Sequence, residues 1–182
     1  MEKKRLANRE HRRHVKCVTI SGNGKFVASA SEDGSVIIGD AKTGETLKNF
    51  SRTENGDWSE MGYAVQFSPD SQLVAAGGMS GLVLWDVKTG QRRELAKKHV
   101  RGISAIAFSQ SGEFVASGST DGIRIWNVQE GWQAGEKLEG HEGNVITGLA
   151  FARQDGVLIT SGFDRRIHFV NLGRLKRSAN EE

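Results

Sequence analysis

The stretch HVRGISAIAFSQSGEFVASGSTDGIRIWN, residues 99–127, decides the fold. Ile103–Phe108 reads as a strand, and Gln110, Ser111 and Gly112 turn the chain. Glu113–Ser117 makes a second strand, Thr120, Asp121 and Gly122 a tight turn, and Ile123–Trp126 a third strand. β-Branched and aromatic runs bounded by Gly, Asp and Ser clusters are the signal of successive hairpins. Strict helical periodicity is absent here and along the rest of the chain, so the reading is all-β.

The same unit recurs on both sides. It reads HRRHVKCVTISGNGKFVASASEDGSVIIGD at 11–40 and WSEMGYAVQFSPDSQLVAAGGMSGLVLWD at 58–86. It returns as HEGNVITGLAFARQDGVLITSGFDRRIHFVN at 141–171. The anchors Ile20, Phe67, Phe108 and Phe151 are 47, 41 and 43 residues apart. The pairs Gly39-Asp40, Trp85-Asp86, Trp126-Asn127 and Val170-Asn171 are 46, 41 and 44 apart. Two independent anchors share one irregular period. A weaker fourth strand is expected at Glu45–Phe50, Gln91–Leu95 and Glu136–Leu138. Four short antiparallel strands repeated roughly every 40–45 residues have the proportions of a propeller blade.

Over residues 11–173 the chain resembles the WD-repeat β-propeller family. The matching residues are Gly140-His141, Trp85-Asp86, Trp126-Asn127, Phe67-Ser68-Pro69-Asp70, Ser117–Gly122 and Ser29–Gly34. The resemblance implies about four four-stranded antiparallel blades, at about 11–50, 58–95, 99–138 and 141–173. A basic arm (1–10) precedes them and a basic, polar tail (174–182) follows. It also implies a buried hydrogen-bonded set of His, Ser or Thr, Asp and Trp in each repeat. The third repeat has all four: His99, Ser117, Asp121 and Trp126. The first has His11, Ser29 and Asp33, with Gly39 where Trp is expected. The fourth has His141, Thr160 and Asp164, with Val170 in place of Trp. The second has Trp58, Ala76 and Ser80 and keeps only Trp85. His, Ser and Asp are also the residue types of a catalytic triad. Recurrence in three repeats favours structure, because buried polar groups must be paired and a satisfied network fixes one register.

Composition narrows the function classes. The chain has 182 residues, 25 Lys+Arg against 22 Asp+Glu, 23 Gly and one Pro. Residues 1–16 carry seven basic and two acidic side chains, and 17–173 carry 15 basic and 18 acidic. The body is therefore no polycation, and nucleic acid is not expected as the primary partner. One cysteine, Cys17, excludes an internal disulfide framework and every multi-cysteine zinc pattern. No run approaches a membrane span, and no secretory signal follows Met1, so the expectation is an intracellular protein, cytoplasmic or nuclear.

Other candidates reduce to structure. His11, His14 and Cys17 are spaced as a metal trio would be on a helix, but the segment reads as a loop entering a strand, so no metal or cofactor is expected. Gly22-Asn23-Gly24-Lys25 is followed by the strand Phe26–Ser29, not by a phosphate-binding helix, and reads as a hairpin turn. The basic arm has three readings: an outer strand of the last blade, a solvated end, or a nuclear address or phosphate contact.

By analogy with the family, the chain is expected to be a non-catalytic scaffold for other proteins. Family contacts gather three and five residues after each leading His. The corresponding residues are His14 and Lys16, Met61 and Tyr63, Gly102 and Ser104, and Asn144 and Ile146. Alternatives are an RNA- or nuclear-associated propeller using the basic arm, and a truncated piece of a larger WD-repeat protein. Four blades are fewer than the about seven or eight usual in this family. The expectation favours self-association, two half-rings closing one propeller.

Overall fold

In the computed structural model the described residues are 10–50, 62–79, 81–94, 99–130, 138–141, 143–152 and 156–173. They form four separate antiparallel sheets and no helix. Blade 1 is β1 (Val15–Ile20), β2 (Phe26–Ser31), β3 (Val36–Asp40) and β4 (Thr46–Phe50), paired in that order. Blade 2 repeats the order with β5 (Gly62–Phe67), β6 (Leu73–Gly78), β7 (Gly81–Asp86) and β8 (Arg92–Glu94). Blade 3 has β9 (Ile103–Phe108), β10 (Phe114–Ser119) and β11 (Gly122–Asn127), and blade 4 has β12 (Ile146–Phe151), β13 (Val157–Gly162) and β14 (Ile167–Asn171).

The hairpins follow from local chemistry. Between the first two strands, the hydroxyls of Ser21, Ser68 and Ser109 accept the amides of Phe26, Leu73 and Phe114. The Gly22–Lys25 segment is thus one of three equivalent turns. Between the second and third strands of blade 3, Ser119 pairs with Gly122, so Thr120 and Asp121 alone form the turn, and Gly122 takes a φ of 117°. The second strand runs two residues beyond the expected Ser117. After each third strand an Asp or Asn closes a turn: Asp40 Oδ1 accepts the amides of Lys42 and Thr43, Asp86 Oδ1 that of Thr89, and Asn127 Oδ1 those of Gln129 and Glu130. This is the job of the acidic or amide residue in the Trp-Asp pair.

Of the expected fourth strands, β4 and β8 form. In blade 3 Leu138 bridges Ile123, while 136 and 137 lie outside the described residues, as do Leu95, the arm 1–9 and the tail 174–182.

The core lies between blades. The inner strands β1, β5, β9 and β12 pack each on the next. Three apolar clusters fill the joints. Ile38 of blade 1 packs with Val65, Phe67 and Trp85 of blade 2; Leu84 of blade 2 packs with Ile106, Phe108 and Trp126 of blade 3; Ile125 of blade 3 packs with Ile146 and Leu158 of blade 4. Phe50 stacks on Trp85 across the first joint, with ring centroids 5.1 Å apart.

Candidate partner-binding face

Three relays, in blades 1, 3 and 4, tie the loop before the inner strand to the turn between the second and third strands, while Trp58 and Ser80 of blade 2 lie outside the described residues. In blade 3, His99 Nδ1 lies 2.6 Å from Asp121 Oδ1 and Nε2 lies 2.8 Å from Ser117 Oγ. Trp126 Nε1–H donates to the same Ser117 oxygen at 2.8 Å. A carboxylate only accepts, so Nδ1 carries the proton and donates to Asp121. Ser117 then donates to Nε2, and every polar atom of the set is paired with His99 neutral. Burial pushes the His99 pKa below its ordinary value, with Asp121 opposing, which agrees with that protonation state. Burial would raise the Asp121 carboxyl; the Val100 amide, His99 and Ser119 outweigh it and hold it at about 2.

Blade 4 keeps the relay without an indole. His141 Nδ1 donates to Asp164 Oδ1 at 2.8 Å, and Thr160 Oγ1 lies 2.8 Å from Nε2. Blade 1 departs from expectation. His11 Nε2 meets Ser29 Oγ at 2.7 Å, but Nδ1 meets Ser35 Oγ at 2.7 Å and stands 3.8 Å from Asp33. Ser35 passes the bond on to Asp33. The turn from Ser31 to Val36 is longer than its blade 3 counterpart, and that length places Ser35 between the two. Burial would raise the Asp33 carboxyl, but the Ser35 hydroxyl and Arg12 amide hold it at about 2.

The metal trio does not assemble. His11 is engaged with the two serines, His14 Nδ1 bonds Glu32 at 2.8 Å, and Cys17 Sγ faces the carbonyl of Val65. A different group does: the donor atoms of His141, Asp164 and His168 lie within 4.8 Å of one another. Both nitrogens of His141 are already bonded, and Arg166 lines the same hollow, so the arrangement disfavours a cation.

Beside the relays lies a depression of about 810 Å³. It collects Lys16, Tyr63, Gly102 and Ser104 from the candidate set. Ser104 Oγ is committed to the carbonyls of Ile146, at 2.6 Å, and Gly118. His14 is exposed and pairs with Glu32, as does Lys16 Nζ at 3.3 Å. Asn144 lies instead at the His141 hollow, and Met61 lies outside the described residues.

Ile146 is a correction. It is fully buried in the third joint, where a Cβ on Gly118 would approach its Cγ2 to 2.8 Å. The loop from His141 to Phe151 is one residue longer than that from His99 to Phe108, so counting from His runs out of register. The counterparts of Gly102 and Ser104 are Val145 and Thr147, and Val145 lines the depression.

Sequence reading missed three further apolar lining residues, Met79, Val100 and Phe163, as well as Arg101 and Thr120. Val100 is 86% and Phe163 69% exposed. Met79 and Phe163 occupy the turn position held by Glu32 and Thr120 in the other repeats. A large apolar residue in a tight turn was the available signal. A separate hollow of about 610 Å³, lined by Leu47, Lys48, Asp86 and Lys88 among others, holds none of the candidate residues.

Comparison with known proteins bears on this geometry. The family model described as "Nucleolar protein 10-like, N-terminal domain", a β-propeller, matches residues 3–175. WD repeat-containing protein 1 of Xenopus tropicalis is 40% identical over 79 residues, which is 43% of this chain and 13% of the relative. Actin-interacting protein 1 of Drosophila melanogaster is 35% identical over 101 residues, 54% of this chain and 15% of the relative. The match thus spans a small part of these longer relatives. Among solved structures, the computationally designed Ika4 protein superposes with a TM-score of 0.76 at 25% identity, covering 95% of this chain and all of the other. The RRP9 WD40 repeats superpose at 0.74 with 22% identity, covering 90% of this chain and 52% of that one, a likeness of fold.

Proposed function

We propose that this chain, which belongs to the WD-repeat β-propeller family through its nucleolar protein 10-like N-terminal domain, is a non-catalytic scaffold that seats a protein partner in the depression around Tyr63. One observation carries the reading. Apolar side chains stand in solvent on short turns, Val100 and Phe163 above all, around an aromatic residue and beside Lys16 and Arg101. Apolar and aromatic anchors with a charged rim are the composition of an interface centre. The test is co-purification with wild type and with Tyr63→Ala and Phe163→Asp. Loss of the same partner from both variants, with melting unchanged, supports the reading. Retention by both refutes it.

The family description favours a second reading, a nuclear or nucleolar protein whose basic arm touches RNA. Arginines and lysines that neutralise phosphates give salt-dependent retention. Removing residues 1–10 flattens that dependence if this reading holds, and leaves it unchanged if it does not.

A further inference from the structure

The joint between blades 1 and 2 and the joint between blades 2 and 3 are built on one plan, but only the second is bridged at its outer end. There Arg93 of β8 stands opposite Leu84 and reaches across to blade 3. Its Nη1 donates to the carbonyls of Val128 at 2.8 Å and Gln129 at 3.1 Å. The residue at the same register in blade 1 is Lys48, opposite Ile38. Val87 and Lys88, which follow Trp85-Asp86 as Val128 and Gln129 follow Trp126-Asn127, take the facing places in blade 2. Lysine makes no such span. Its ammonium stops beside Gly90, where a Cβ would stand 3.5 Å from Nζ, and it has neither a hydrogen-bond nor an ion-pair partner among the described residues. What Arg93 bridges in one joint is left in the other as the hollow of about 610 Å³. That size lies within the about 300–1,000 Å³ usual for binding sites.

The lining is sorted by polarity. Phe26, Ile38 and Val87 make an apolar floor, and Leu47, 47% exposed, stands at its edge. Lys48 and Lys88 set two positive charges against one negative, Asp86. Asp86 is committed to its own turn: Oδ1 accepts the amide of Thr89 at 2.6 Å, and that bond holds the carboxyl below its ordinary range. We propose that this groove is a second docking site, and that its occupant is an acidic segment of another protein, with a large apolar side chain on the floor and a carboxylate on Lys48 and Lys88. Burial of the apolar side chain supplies affinity, and charge complementarity fixes the sign of the occupant, since a basic segment would meet two lysines. The groove is lined by the turns after the first and third strands of blade 2, whereas the depression around Tyr63 is lined from the opposite ends of the strands. The inference therefore does not depend on what the depression binds.

The test is selection of random dodecapeptides, displayed on phage, against the full chain, followed by titration of each enriched peptide by fluorescence anisotropy. Peptides that join acidic residues to Leu or Phe are expected. Lys48→Glu should weaken their binding on the order of tenfold or more, and Leu47→Asp should weaken it too. Lys48→Met, which keeps the aliphatic stem and drops the charge, should act in the same direction with melting unchanged. Tyr63→Ala should leave their affinity as in wild type. Selection that yields no peptide weakened by Lys48→Glu and Lys48→Met overturns the inference. So does enrichment of basic peptides that bind Lys48→Glu more tightly than wild type.

Discussion

Replacing Ser117 with Ala tests the blade 3 relay at its crossing point. The Ser117 hydroxyl is fully buried and serves two buried groups, the indole N–H of Trp126 and Nε2 of His99, each at 2.8 Å. The substitution removes one oxygen and leaves almost no cavity, so hydrogen bonding dominates the cost. Each orphaned buried partner costs about 1–3 kcal/mol, and two are orphaned, so the expected loss is about 2–6 kcal/mol. That is a large share of the roughly 5–15 kcal/mol that stabilises a typical domain. Urea unfolding at fixed protein concentration reads it as a lower midpoint with an unchanged slope. Trp126→Phe removes one of the two orphans in advance. The pair of substitutions together should therefore cost less than their sum, by about 1 kcal/mol or more. A Ser117→Ala loss below about 1 kcal/mol, or strict additivity with Trp126→Phe, refutes the relay as drawn.

Acid should destabilise the protein in two stages. The folded-state pKa of His99 is depressed, so the unfolded chain binds its proton first, and stability falls as pH drops below about 6.5. Asp33 and Asp121 are depressed from 3.8 to about 2, so their contribution is intact above pH 3.8 and disappears as pH falls toward 2. Melting temperature against pH checks this, and an Asp121→Asn variant whose acid limb matches wild type would contradict it. Gly118→Ala should cost about 1–3 kcal/mol by overpacking, because its Cβ would stand 2.8 Å from Cγ2 and 3.1 Å from Cβ of Ile146. An unchanged urea midpoint would mean that the third joint is slack.

The blades were legible because their signals are local. Hairpin residues, β-branched runs and the Trp-Asp pairs repeat within each unit, so the period shows without long-range information. The relay partners in blades 3 and 4 were legible by residue type. Ser35 was not, because its role depends on a turn one residue longer than the pattern, and a serine in a turn has no distinguishing neighbour. Ile146 failed for a related reason: one added loop residue moves a side chain from the rim to the joint, since strand faces alternate with every residue. Val100 and Phe163 lie outside the family pattern, which names positions at the inner strands, whereas these residues stand on the loops beside them.

The relays and the depression are mechanically one device. Asp121 bonds not only His99 but also the backbone amide of Val100, through Oδ2 at 3.0 Å. The loop carrying the most exposed apolar side chain is thus pinned by a buried network. Asp164, the partner of His141, directly follows Phe163, and the Phe163 amide donates to the carbonyl of Val145 at 3.0 Å. Val100, Phe163 and Val145 all line the depression, and all hang from loops that the relays or their neighbours hold in place. Ordering a loop before a partner arrives removes part of the entropic cost of binding. Under the proposed scaffold function the relays are therefore not idle: their hydrogen bonds hold the loops that carry the apolar rim.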